Sequence, residues 1–296
     1  MELWIPITIA AAFFQNIRFL LQKRLKSELT TLGVTFARFL FAAPLALLLA
    51  AVLLARPDIS WPGMNGAFLA YALVGALAQI VATALLVALF SLRNFAVGVT
   101  FSKTETVMTA ALSAAVLGEG LAESAVLAIV ITVVGVIVMS GLPTRDDWRT
   151  GILSKAAGIG ILSGVIFAMA SIGYRGAALA LDEGGFLIRA VVTLAFVTLV
   201  QTLAMAVWLA WRRPGEGARV MRAWPRAAWV GLFGMLGSLG WFTAFALQNA
   251  AYVKALGQVE LVFTLLTSTL FFGERIRARE AVGIALVGIG ILVLVL

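Results

Sequence analysis

The chain has 296 residues, of which 62% are hydrophobic and 12% charged, with a formal net charge of +8. Soluble domains are about 45–50% apolar and about 25% charged, so a 31.4 kDa globule of this composition could not cover its surface with polar groups. Lipid must be the solvent for most of the chain. Neither cysteine nor histidine occurs, which excludes disulfides, thiolate nucleophiles and the commonest metal ligand. No cofactor and no metal is therefore expected. The basic residues lie in short gaps between apolar runs, where membrane topology explains them better than a nucleic-acid partner does.

A helix needs about 20 apolar residues to cross a hydrocarbon core of about 30 Å. The runs here are continuous rather than alternating, which favours helices over barrel strands. Spans are expected at about 3–22, 32–54, 66–90, 96–117, 124–142, 152–174, 186–211, 227–247, 254–272 and 279–296. The first lacks a basic start and a small-residue cleavage site, so it reads as a retained helix. Between the spans stand turn formers such as Arg56-Pro57-Asp58, Leu142-Pro143-Thr144 and Arg213-Pro214-Gly215.

Ionisable groups at mid-bilayer cost about 2.5–3.5 kcal/mol on insertion scales, so those present point to a pathway or an internal bond. In the first span Gln15, Arg18 and Gln22 share one face, with Asn16 beside them. They either line a pathway or, for Arg18 and Gln22, snorkel to the cytoplasmic interface. Arg38 enters the second span as a candidate for a carboxylate or substrate, whereas Arg189 reads as an anchor. The third span carries Tyr71 and Gln79. In the fourth, Lys103 and Glu105 diverge on the helix and should not pair with each other. Tyr174 lies in the sixth span and Trp241 deep in the eighth, while Trp4, Trp61, Trp148, Trp208, Trp211, Trp224 and Trp229 suit an interfacial belt. Gly231, Gly234, Gly237 and Gly240 recur every three residues, a pattern for close helix packing. The ninth span holds Gln258 and Glu260. Glu105 and Glu260 are candidates for a coupling proton or a substrate ammonium, or else for an interhelical clamp.

Residues 89–119 align without a gap to residues 244–274 at an offset of 155, with ten identities in 31 positions. The matches include Asn94 with Asn249, Glu105 with Glu260, Thr109 with Thr264, Ser113 with Ser268, and Gly118-Glu119 with Gly273-Glu274. Glu119 and Glu274 read as structural contacts at helix ends. The two halves, 1–142 and 151–296, thus each hold five helices, and an odd number makes the second half enter from the opposite side. Placing the loops after odd helices in the cytoplasm collects fifteen Lys/Arg there and leaves Arg56, Arg175 and Lys254 on the other face. Both termini are then expected outside the cytoplasm.

The five-plus-five repeat, the Gly-Glu ending each fourth helix, the glycines of each fifth helix (Gly135; Gly288 and Gly290) and the arginines Arg38 and Arg189 resemble the drug/metabolite transporter superfamily, in its EamA-like branch. The resemblance covers nearly the whole chain. It implies an all-α polytopic fold of ten transmembrane helices in two inverted repeats. It also implies secondary, non-enzymatic transport of a small metabolite such as an amino acid by alternating access, often as export across a bacterial inner membrane. A cavity lined by helices 1, 3, 4, 6, 8 and 9 comes with it. Many members keep their termini in the cytoplasm, against the charge count here. The expected partners are a small-molecule substrate, a coupling proton and membrane lipid. The competing readings are a lipid flippase and a lipid-modifying membrane enzyme. The candidate binding or coupling residues are Gln15, Asn16, Arg18, Arg38, Gln79, Lys103, Glu105, Tyr174, Trp241, Gln258 and Glu260.

Overall fold

A computed structural model describes residues 2–89, 104–140, 155–272 and 278–295, which form helices and the turns joining them. The helices are α1 (Trp4–Leu25), α2 (Thr31–Leu54), α3 (Gly66–Leu89), α4 (Glu105–Leu117), α5 (Glu123–Ser140), α6 (Lys155–Leu179), α7 (Phe186–Arg212), α8 (Glu216–Arg222), α9 (Trp224–Leu247), α10 (Ala250–Leu256), α11 (Val259–Phe272) and α12 (Ala278–Val295). Seven of them are long and apolar enough to cross a membrane: α1, α2, α3, α6, α7, α9 and α12. The chain is an all-α polytopic membrane protein. Its surface is built accordingly, with Leu48 63%, Val207 70% and Trp211 70% exposed, while alanines such as Ala11, Ala37 and Ala72 are fully buried. Large apolar side chains face lipid, and small ones let the helices close on each other.

Two expectations need correction, and one of the alternatives for Gln22 and Arg18 falls. The ninth span, read as one helix over 254–272, is broken: α10 stops at Leu256 and α11 starts at Val259. Across the break the bonds tighten from four-residue to three-residue spacing, Gln258 N to Ala255 O at 3.2 Å and Glu260 N to Gly257 O at 3.0 Å. Trp4 is not part of an interfacial belt, being only 4% exposed within the core, with its indole N–H donated to Glu2. Gln22 does not snorkel either, since its side chain is fully buried. Arg18 is 3% exposed, so burial overrides the interfacial option for it as well. Trp148, Asn94, Glu274 and the basic residues Arg93, Arg145, Arg149, Arg275 and Arg277 lie outside the described residues.

Helix ends follow local chemistry. Thr30 caps α2, its hydroxyl accepting from Gly33 N at 3.1 Å. The same hydroxyl and the Thr30 amide donate to Glu216 Oε1 at 2.6 and 3.1 Å. A carboxylate at a helix N-terminus is favourable, and this one ties the α1–α2 turn to α8. Asn65 caps α3 through Phe68 N at 2.8 Å. Gly118 ends α4 in the left-handed region, φ 66°.

The broadest helix contacts join α3 to α6, α5 to α12 and α1 to α9. Glycine makes two of them close. A methyl group on Gly173 would stand 2.7 Å from Gly75 Cα, so α3 and α6 touch backbone to backbone. On α9, a methyl at Gly231 would meet the Phe41 backbone carbon at 2.6 Å and one at Gly240 would meet Ala11 Cβ at 2.7 Å. The glycine stripe therefore presses α9 onto α1 and α2.

Candidate functional site

A cavity of about 220 Å³ lies where the helices of the two sequence halves meet. Of the candidate residues, Gln15, Asn16, Arg18, Arg38, Gln79, Glu105, Tyr174, Trp241, Gln258 and Glu260 stand on its wall. Lys103 lies outside the described residues. The wall also takes Arg38 from α2 and Leu194, Val197, Thr198 and Gln201 from α7, so it is wider than the helix set 1, 3, 4, 6, 8 and 9 expected from the resemblance.

Three polar groups of bonds organise the wall. Near α1 and α9, Trp241 Nε1 donates to Gln15 Oε1 at 3.0 Å, and Gln15 Nε2 donates to Glu260 Oε2 at 2.6 Å. Gln15 is thereby held at both ends of its amide. One residue on, Asn16 Nδ2 donates to Thr264 Oγ1 at 2.6 Å, joining α1 to α11. Gly257 makes room for this arrangement, because any side chain there would collide with the Trp241 ring. The helix break thus does two things: it seats the indole, and it brings Gln258 and Glu260 to the cavity.

In the middle, Lys254 Nζ lies 2.5 Å from Glu105 Oε1, with side chains 14% and 15% exposed. The ammonium also stands 4.7 Å from the Trp241 ring centroid, a cation–π distance. Ser171 Oγ donates to Glu105 Oε1 at 3.4 Å. Sequence reasoning left Lys254 among the non-cytoplasmic loop cations. Its partner comes from the other half of the chain, and no local spacing links the two.

The third group runs through α2, α3, α6 and α7. Arg38 Nη1 donates to Thr83 Oγ1 at 2.8 Å, and Gln79 Nε2 donates to the same hydroxyl at 3.3 Å. Tyr174 donates its hydroxyl to Gln79 Oε1 at 3.3 Å and accepts from Gln201 Nε2 at 3.2 Å. Phe242 stacks on the Tyr174 ring at 4.2 Å between centroids. Gln201 was not singled out from the sequence: a lone glutamine in an apolar run carries no mark of its partner.

Arg18 and Arg38 converge beside Gly234, where a methyl group would stand 3.5 Å from Arg18 Cδ and 3.3 Å from Arg38 Cγ. Arg38 is 7% exposed. Arg18 Nη1 is buried without a hydrogen-bond partner, as is Gln258 Oε1, whose amide nitrogen donates to Thr106 Oγ1 at 2.8 Å. Buried polar atoms are normally satisfied; Gln22, Thr109, Thr132 and Arg189 also carry orphaned ones, but among the described residues so marked it is Arg18 and Gln258 that line the cavity.

The two ends of the cavity differ. Its lining reaches Lys23, in the basic last turn of α1. Toward the far end of α6, Arg175 binds Glu119, with Nε at 2.8 Å from Oε1, and also donates to the Phe245 carbonyl. Ser113 Oγ donates to Glu119 Oε2 at 2.8 Å and lies 3.2 Å from Asn249 Oδ1. Glu119, read as a structural contact, is thus the centre of a tie between α4, α6, α9 and α10.

Long apolar helices, buried charges and a small polar chamber between them describe an integral membrane protein built to admit a solute. The EamA-like transporter family matches the chain twice, over residues 2–141 and 154–296. No curated protein matches it. One solved crystal structure, described only as that of a protein, shares the fold with a TM-score of 0.69 at 13% identity, over 98% of this chain and 94% of that one. The chain belongs to the EamA-like transporter family of the drug/metabolite transporter superfamily, and it is a membrane transporter.

Proposed function

We propose that the protein is a secondary active transporter that moves a small polar metabolite by alternating access, as an exporter in a bacterial inner membrane. Its two halves of five helices are inserted in opposite senses, with both termini outside the cytoplasm. The observation that carries this is the chamber itself: charged side chains, costly in lipid, gather around about 220 Å³ between helices of both halves. That volume falls below the roughly 300–1,000 Å³ of drug-sized sites, which favours a metabolite of few atoms, with amino acids and other small acids as the first class to assay. Packing favours two equivalent halves, because α1–α9 and α3–α6, and likewise α1–α11 and α6–α4, exchange when the halves are swapped, and an odd number of helices in each half then inserts them in opposite senses. Charge favours the orientation: two of the three basic residues assigned outside the cytoplasm, Arg175 and Lys254, are held by internal carboxylates rather than set in loops.

In this reading Arg175–Glu119 is the tie that closes the non-cytoplasmic end and must part for release. Glu260, held by a neutral amide rather than a cation in that bond, is the carboxylate placed for a coupling proton. Proteoliposome exchange with a panel of labelled amino acids, organic acids and amines tests the reading. Flux of at least one solute, lost in Glu260→Gln and in Glu105→Gln while both variants remain inserted, is expected. Absence of flux for every solute, or movement of a labelled lipid instead, would overturn it.

A further inference from the structure

Resting on the transporter reading, we propose that the passenger is an organic anion whose charge is not cancelled by an ammonium, docked on Arg18 and Arg38. Among the described residues the charges on the wall do not balance: Arg18, Lys23, Arg38 and Lys254 line it against Glu105 and Glu260. Glu105 is engaged by Lys254 at 2.5 Å. Arg18 has Arg38 and Glu260 as its charged neighbours, but no hydrogen bond reaches its Nη1. Even with Glu260 set wholly against Arg18, Arg38 has among the described residues the Thr83 hydroxyl at 2.8 Å, the Phe39 ring 5.1 Å from its guanidinium carbon and the Tyr174 phenol beside it, none of them a carboxylate. Two guanidiniums brought together over Gly234 repel each other, and buried charges persist where they are paired. An acidic group on the passenger supplies the missing charge, and the planar fork of arginine suits carboxylate or phosphate oxygens.

The second orphan sharpens the chemistry. Gln258 Oε1 is an acceptor with no donor, so a passenger that carries an O–H or N–H besides its acid answers both vacancies. A hydroxy acid does so while remaining a net anion. An α-amino acid also offers a donor, but its ammonium restores the positive surplus.

Matched solutes separate these cases by charge at nearly constant size. Proteoliposomes would be loaded and challenged in exchange with L-lactate against L-alanine, and with L-malate against L-aspartate. Each hydroxy acid is expected to exchange at least about tenfold better than its amino counterpart, the scale of one charge-assisted bond. Arg38→Gln, which removes one positive charge and leaves a shorter, neutral amide, should erase that preference. Arg18→Gln should weaken lactate and malate roughly tenfold or more. Equal or better exchange of alanine and aspartate in the wild-type protein overturns the proposal while leaving the transporter reading intact, and so does an unchanged preference in Arg38→Gln. If neither variant inserts, the wild-type comparison decides alone. If none of the four solutes exchanges while an amine or neutral solute does, the anion proposal falls alone. If nothing exchanges, both readings fall.

Discussion

The α1–α9 seam and the α3–α6 seam stand at equivalent places in the repeat, yet they are filled in opposite ways. At the offset of 155, Arg18 corresponds to Gly173, Gln79 to Gly234, and Arg38 to Thr193. In the first seam the stems of two arginines occupy the notch at Gly234. In the second, Gly173 lets the backbones of α3 and α6 meet, and the glutamine stands on the opposite helix. Thr193, where the other half has an arginine, turns its hydroxyl back to Arg189 O at 2.7 Å. Helix spacing depends on the summed volume at a seam, not on which helix supplies it. A duplicated scaffold can therefore keep its packing while moving all the cations of such a seam to one side. The two arginines meet at the first seam, from which Arg38 also reaches Thr83 of α3, while their equivalents in the other half are a glycine and a threonine.

The paired carboxylates offer the largest test of that asymmetry. Glu105 is ion-paired with Lys254, whereas Glu260 accepts from the Gln15 amide and has Arg18 as a charged neighbour. Lys254→Met should strand Glu105 and lower stability by about 3 kcal/mol, with much of it regained in Lys254→Met/Glu105→Gln. Gln15→Leu should cost about 1–2 kcal/mol, since Glu260 loses one donor. Thermal unfolding in detergent measures both, and equal losses would erase the distinction between the mates.

Glycines give the next test. Gly173→Ala drives a methyl into the Gly75 backbone and should cost about 1–3 kcal/mol. Gly234→Ala meets only side-chain stems of Arg18 and Arg38 at its closest two approaches and should cost well under about 1 kcal/mol. A several-fold change is expected from the tie at the far end. Because the chain lacks cysteine, Ser171→Cys reports access to the chamber. Arg175→Gln should make it react a few times faster with an impermeant thiol reagent added outside, and an unchanged rate would remove the tie from gating. The smallest contrast is between the mates Thr83 and Ser238. Thr83→Val takes the hydroxyl from Arg38 and should cost about 1 kcal/mol, while Ser238→Ala should stay within about 0.5 kcal/mol.

Composition and periodicity settled the class of this protein without coordinates. A chain 62% hydrophobic leaves backbone groups no partner but each other, so helices of bilayer length follow from the lengths of the runs. Cost did similar work for the chamber: Gln15, Arg18, Arg38, Glu105 and Glu260 stood out because polar groups in lipid are expensive, and the wall contains them. What the linear chain did not carry was who meets whom. Lys254 reaches Glu105 from 149 positions away, Gln201 reaches Tyr174 from 27 positions on, and Arg175 reaches Glu119 from 56 positions away. The need for glycine after Leu256 is equally a tertiary matter, since Gly257 is helical in backbone angles and it is the Trp241 ring that leaves no space for a side chain there. Hydropathy is a property of single residues, legible one by one, whereas pairing and charge balance belong to distances between helices, which packing alone decides.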